Sequence, residues 1–214
     1  MGRKKTTIET GETQQQLMSA ALEVVGTKGI EAATARAIAN IAGVNQSLIF
    51  YHFGSVTQLL IASVNSLNET RFQAYESALS QVKTVEELLG VTFEVFEEDR
   101  HGPSYIVLSQ MVAGAKNVPE FATALEPLFE KFISLTKKSL TQVLGDVSLP
   151  AEITYDDVAI GIISLFLGVR LIGSVPKYDG QVDSLLEKVK NAAPFLNLIL
   201  TMISIQKPSA VEDN

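Results

Sequence analysis

An all-α fold is the expectation for this 214-residue chain, and three observations carry it. Apolar residues recur at helical spacing from Leu17 to Ile203. The stretches between them hold helix signals: Thr84 with Glu87 forms a capping box, and Pro103 and Pro119 stand where a first helical residue belongs. Thr34 to Phe53, finally, reads as two short helices joined by a glycine turn. The expected order is a flexible basic tail over 1–10, a three-helix head over 11–54, a larger helical body over 55–206 and a tail over 207–214.

In the head, helix 1 is expected from about Thr13 to Thr27, with Leu17, Ala21, Val24 and Val25 facing the hairpin. Thr34 caps the second helix, in which Ile38, Ala39 and Ala42 share a face. Gly43 supplies the positive φ of the turn, Asn45 caps the third helix, and Ile49 and Phe53 form its inner side. A small residue, a turning glycine and a branched apolar lock, at Ala39, Gly43 and Ile49, meet the needs of a helix-turn-helix. A step of about 100° per residue then puts Ser47 and Tyr51 outside, with Leu48 and Phe50 beside them and Asn45 and Gln46 at the amino end. That end of a reading helix enters the major groove, where amides meet adenine edges and apolar groups meet thymine methyls. The DNA-contact candidates are Thr34, Arg36, Asn45, Gln46, Ser47, Leu48, Phe50, Tyr51 and His52.

Leu17, Met18, Ala20, Ala21, Val24, Val25 and Gly29, followed by Thr34, Ile38, Ala39, Ala42, Gly43, Val44, His52, Phe53 and Leu59, form an ordered set. In these residues the first quarter of the chain resembles the amino-terminal domain of TetR-type (TetR/AcrR) transcriptional regulators. The resemblance implies a homodimeric repressor of a pseudo-palindromic operator, whose carboxy-terminal helical domain binds a small molecule and thereby releases the DNA. The chain departs from that pattern twice: the family usually has tyrosine at the position of Phe50 and lysine at that of Val56. Both usual residues touch phosphate, so their loss weakens sequence-independent affinity, and Tyr51 and Arg36 are the candidates to compensate. A dimeric small-molecule sensor with weak or lost DNA binding is the alternative these departures suggest.

Composition narrows the function further. Hydrophobic residues at 46% and charged ones at 19% describe a globular chain, and a net charge of -7 argues against indiscriminate coating of nucleic acid. Charge is uneven. Five cations against four carboxylates leave Met1 to Leu60 at +1, so the rest of the chain carries -8. No cysteine is present, and His52 and His101 are far apart. A thiol nucleophile, a histidine-rich metal site and a serine-histidine triad all lack material, so no enzyme, metal or cofactor is expected. The amino terminus has no apolar run of a secretory signal, and a cytoplasmic protein is expected.

The body begins with a long helix 4 from about Ser55 toward Leu79. Helix 5 follows the Thr84 capping box with Leu88, Leu89, Thr92, Phe93 and Phe96 inside; helix 6 starts at Pro103; helix 7 starts near Pro119 and is expected to kink or split at Pro127. Phe93, Phe96, Tyr105, Phe121, Phe129 and Phe132 suit an apolar effector pocket, with Arg100 and Gln110 as polar anchors. In helix 8, opened by Thr154 and Asp157, the run VAIGIISLFLGV is apolar on every side yet shorter than the roughly 20 residues of a membrane span. Such a helix must be covered on both faces. A second subunit is therefore expected on Gly161, Ser164, Leu165 and Gly168, joined by Leu196, Ile199 and Ile203 of helix 9, which is expected from about Val182 to Ile205 with a bend at Pro194.

Overall fold

The computed structural model describes residues 2–98, 103–145 and 152–205. Among them the elements are α1 (Gly2–Lys28), a 3-10 turn (Ile30–Ala32), α2 (Ala35–Ala42), α3 (Ser47–Phe53), α4 (Val56–Leu79), α5 (Val85–Glu98), α6 (Pro103–Gly114), α7 (Pro119–Leu144), α8 (Tyr155–Gly173) and α9 (Asp179–Ile205). No strand occurs among the described residues, as the all-α expectation requires.

The chain divides into two compact units, Met1–Gln73 with Asp99–Phe129, and Ala74–Glu98 with Glu130–Asn214. The first unit thus combines the head with α6 and the start of α7, where the sequence suggested a head ending at residue 54. Its core explains the grouping. Leu17, Ala21, Val24 and Val25 of α1 are buried, α1 packs on both α2 and α6, and Val107 and Met111 of α6 are as deeply buried as the head's own Ile38 and Ile49. In the second unit α5 and α8 both pack on α9. Phe93, Val169, Val182 and Leu186 form its apolar cluster, with Leu89 and Phe166 at the margin.

Helix caps follow the sequence closely. Thr84 Oγ1 accepts from Glu87 N–H at 3.1 Å while Glu87 Oε2 accepts from the N–H of Thr84 at 3.2 Å and of Lys83 at 2.7 Å. Thr154 and Asp157 form the same reciprocal box at α8, each capping bond satisfying a backbone donor that the helix leaves free. Outside the caps, Gln142 donates to the carbonyls of Ser80 and Val82, which ties the turn after α4 to α7.

Three helices differ from their expected extents. α1 starts at Gly2, through the stretch expected to be a flexible tail. Arg3, Lys4, Lys5 and Glu9 there are good helix formers, and the interior glycines Gly11 and Gly26 cost about 1 kcal/mol each, too little to end a helix of 27 residues. α7 is not split at Pro127 but runs from Pro119 to Leu144. Pro127 and Thr123 are both exposed, so water can take the carbonyl that the proline leaves without a donor. α9 starts at Asp179 and likewise continues through Pro194.

Candidate nucleic-acid interface

The reading unit is held by short local bonds and a small apolar centre. Thr34 Oγ1 accepts from Ala37 N–H at 3.1 Å and starts α2. Gly43 adopts φ 68° and its N–H returns to Ala39 O, so the chain turns where any side chain would be strained. Asn45 Oδ1 then accepts from Ser47 N–H at 2.9 Å, an Asx turn that fixes the start of α3. Ile38 and Ile49 are fully buried, so α3 cannot rotate about its axis without withdrawing Ile49 from the core. Gly54, at φ 78°, ends α3, and Ser55 Oγ accepts from Gln58 N–H at 3.1 Å to open α4.

With Ile49 fixed inward, the outward face of α3 is set. Gln46, Ser47, Phe50 and Tyr51 are exposed, Phe50 at 52% and Tyr51 at 79%, whereas Leu48 and His52 on the opposite flank are half-buried. Phe50 and Leu48, placed symmetrically by the helical step alone, are therefore unequal in the fold. The His52 ring meets the Tyr51 ring edge-on at 4.9 Å and the Phe53 ring at 6.3 Å, which leaves it half within the packing at the helix end. Thr34, Arg36 and Asn45 are exposed as well. The face thus offers amides, a hydroxyl, a phenol and a guanidinium to a partner, with one large apolar ring among them.

The expected effector residues are distributed over both units. Tyr105, Gln110, Phe121 and Phe129 belong to the first, and Phe93, Phe96 and Phe132 to the second. Phe93 is part of the α5, α8 and α9 cluster, its ring 6.4 Å from that of Phe166. Phe121 is buried, its ring against Gly114. Gln110 has a partner that sequence spacing could not reveal, the N–H of Ile30, eighty residues earlier. Arg100 lies outside the described residues, and so does the side chain of Phe96.

Of the residues expected between subunits, Gly161, Ser164 and Leu165 are exposed on α8 and Gly168 is half-buried. Leu165 is 64% exposed, and Ile160, Leu171, Ile172 and Val175 are exposed large apolar neighbours along the same helix and its end. No atom approaches within 4 Å of the position a Cβ would take at Gly161 or Gly168. On α9, Leu185, Val189 and Phe195 are exposed, while the side chains of Leu196, Ile199 and Ile203 lie outside the described residues. No single helix among the described residues is long and apolar enough to cross a membrane.

The geometry is that of a helix-turn-helix with a free reading face, and the match to known proteins falls on the same segment. Residues 17–62 match the family profile described as bacterial regulatory proteins, tetR family. Over these residues the chain is similar to the amino-terminal domain of that family. Among curated relatives, the HTH-type transcriptional regulator BetI of Rhizobium meliloti (strain 1021) is 37% identical over 84 residues, covering 37% of this chain and 41% of that regulator. The regulator SrpR of Pseudomonas putida is 38% identical over 63 residues, or 29% of this chain and 30% of its own. The chain thus matches less than half the length of either relative.

Solved structures extend the likeness in fold beyond the head. The fatty acid degradation regulator FadR of Bacillus halodurans superposes with a TM-score of 0.71 at 17% identity, over 85% of this chain and 94% of that one. FadR of Bacillus subtilis, solved in complex with stearoyl-CoA, does so with a TM-score of 0.66 at 14% identity, over 84% and 96%. The likeness of fold to these structures therefore extends well past residue 62.

Proposed function

We propose that this chain is a ligand-responsive transcriptional repressor that binds a pseudo-palindromic operator as a homodimer and is released by a small, largely apolar effector. The observation that carries the proposal is the outward face of α3. Gln46, Ser47, Phe50 and Tyr51 stand exposed on a helix whose inner residue, Ile49, is fully buried, so the fold has no use for that face and a major groove does. Arg36 and Tyr51 serve phosphates, and Gln46 and Ser47 reach base edges.

The exposed apolar rows of α8 and α9 favour a two-fold pairing of subunits. Ile160, Leu165, Leu171 and Ile172 are large apolar residues left exposed along one helix, and the space at Gly161 and Gly168 admits a second helix closely. A dimer supplies two heads for half-sites about 34 to 36 Å apart. The effector's apolar character is supported by the stearoyl-CoA named for the Bacillus subtilis neighbour. Such a regulator works in the cytoplasm on double-stranded DNA.

Fluorescence anisotropy on duplexes from upstream of the chain's own gene, against scrambled duplexes and across a salt series, tests the reading. Sequence-dependent binding that weakens steeply with salt is the expected result. If an effector releases the operator, linkage requires the operator to weaken effector binding by the same factor. Equal, weak binding to both duplex sets would count against the repressor.

A further inference from the structure

Phe50 is the one large apolar side chain on a face otherwise made of hydrogen-bonding groups, and its ring is half exposed while its mirror neighbour Leu48 is drawn toward the core. An exposed phenylalanine gains nothing from water and contributes little to the head's packing. It has no donor or acceptor, so a phosphate oxygen offers it no bond. Among the edges that base pairs present in the major groove, only thymine carries an apolar group, its C5-methyl. Resting on the DNA-binding reading above, we infer that Phe50 reads thymine methyl groups and makes the operator's half-site specific for thymine at a fixed position.

The placement of Gln46 supports this and adds a register. Gln46 lies four residues before Phe50, on the same side of the helix and one turn nearer its amino end. Its carboxamide matches the paired acceptor and donor of an adenine edge. One turn rises about 5.4 Å, against about 3.4 Å per base step, so the two side chains address bases one to two steps apart. The readout expected is an adenine contacted by Gln46 and, one or two base pairs away, a thymine whose methyl lies against the Phe50 ring. Ser47 and Tyr51, exposed beside Phe50, border that contact.

The test uses the full chain and a duplex selected from a random-sequence pool by repeated binding. Each thymine of that duplex is then replaced singly by uracil, which deletes the methyl and preserves every hydrogen-bonding edge. Burying one methyl-sized group corresponds to about a fourfold change in affinity, so uracil at one position per half-site is expected to weaken binding about fourfold. F50A and F50S, both mild changes at an exposed position and checked for helical content by circular dichroism, are expected to bind the thymine and uracil duplexes alike. Q46A is expected to relax the choice at the neighbouring adenine and keep the uracil penalty. Uracil that is neutral everywhere, on a duplex still preferred over scrambled sequence, would overturn the inference and leave the DNA-binding reading standing. A uracil penalty that persists in F50A and F50S would assign the methyl to another residue and overturn it as well. A pool that yields no preferred duplex at any salt concentration overturns both.

Discussion

Gln110 Oε1 accepts a hydrogen bond from Ile30 N–H at 2.6 Å, so a side chain of α6 caps the turn between α1 and α2. Gly29, the residue before that turn, has φ 83° and no side chain to cap it, and Gln110 satisfies the Ile30 donor from outside the segment. The bond gives α6 a hold on the backbone from which the reading hairpin starts. Q110A leaves a partly buried N–H without its acceptor and should cost about 1 to 2 kcal/mol. Urea unfolding followed by circular dichroism should show a lower midpoint at an unchanged slope. A midpoint equal to that of the parent would mean that water replaces the glutamine at no cost.

Gly168→Leu separates assembly from folding. Beyond its own helical turn, no atom lies within 4 Å of a Cβ at that position, so the side chain leaves the backbone without a clash in its own subunit. In a two-fold pairing through α8 the added side chain overfills the contact, and overpacking typically costs 1 to 3 kcal/mol. Light scattering should report a monomer with parental helical content and reduced operator affinity. A dimer mass that does not change would remove α8 from the interface.

Much of this structure was legible in local spacing, because the signals that start and stop helices are local. Thr34, Gly43, Thr84 with Glu87 and Thr154 with Asp157 act within three or four residues, and each caps or turns the chain where its spacing places it. The reading face follows from one buried residue, Ile49, and the helical step. What spacing does not contain is partner choice across long stretches of chain. Gln110 looks like any polar residue on an apolar helix until α6 is placed on α1, and the inequality of Leu48 and Phe50 depends on which flank of α3 its neighbours cover. Proline is ambiguous for a related reason: whether Pro127 splits a helix depends in part on whether water can reach the carbonyl it frees, and exposure is not written in sequence.

The capping box of α8 carries a pH signature. Hydrogen bonds from the Thr154 side chain and then from its backbone N–H hold the Asp157 carboxyl below its ordinary value near 3.8. A depressed carboxyl stabilises the folded form at pH above the unfolded value, and the contribution is lost as pH falls through the folded value. Protection of the first-turn amides of α8 in hydrogen exchange should therefore drop in acid below about pH 4. Asp157→Asn, which cannot titrate, should show no such local pH dependence. Identical profiles for the two proteins would exclude Asp157 as its source.

Phe50→Tyr with Val56→Lys tests what the head gives up at those two positions. Phe50 is exposed beside Tyr51, so its ring can lie on a base while a hydroxyl added at its far end reaches a bordering phosphate, and Val56 is the half-buried first residue of α4, from which a lysine's long side chain can carry its cation outward. Each added phosphate contact per head releases counterions and should steepen the dependence of log affinity on log salt by roughly 0.9. The double variant should bind scrambled and operator duplexes more tightly at low salt, with the gain shrinking as salt rises, because a phosphate contact carries no sequence information. Anisotropy titrations at several salt concentrations measure both quantities. Parental slopes in the double variant would mean that neither side chain reaches a phosphate, and that the spacing of α3 and α4 from the backbone differs from that of a groove-bound head.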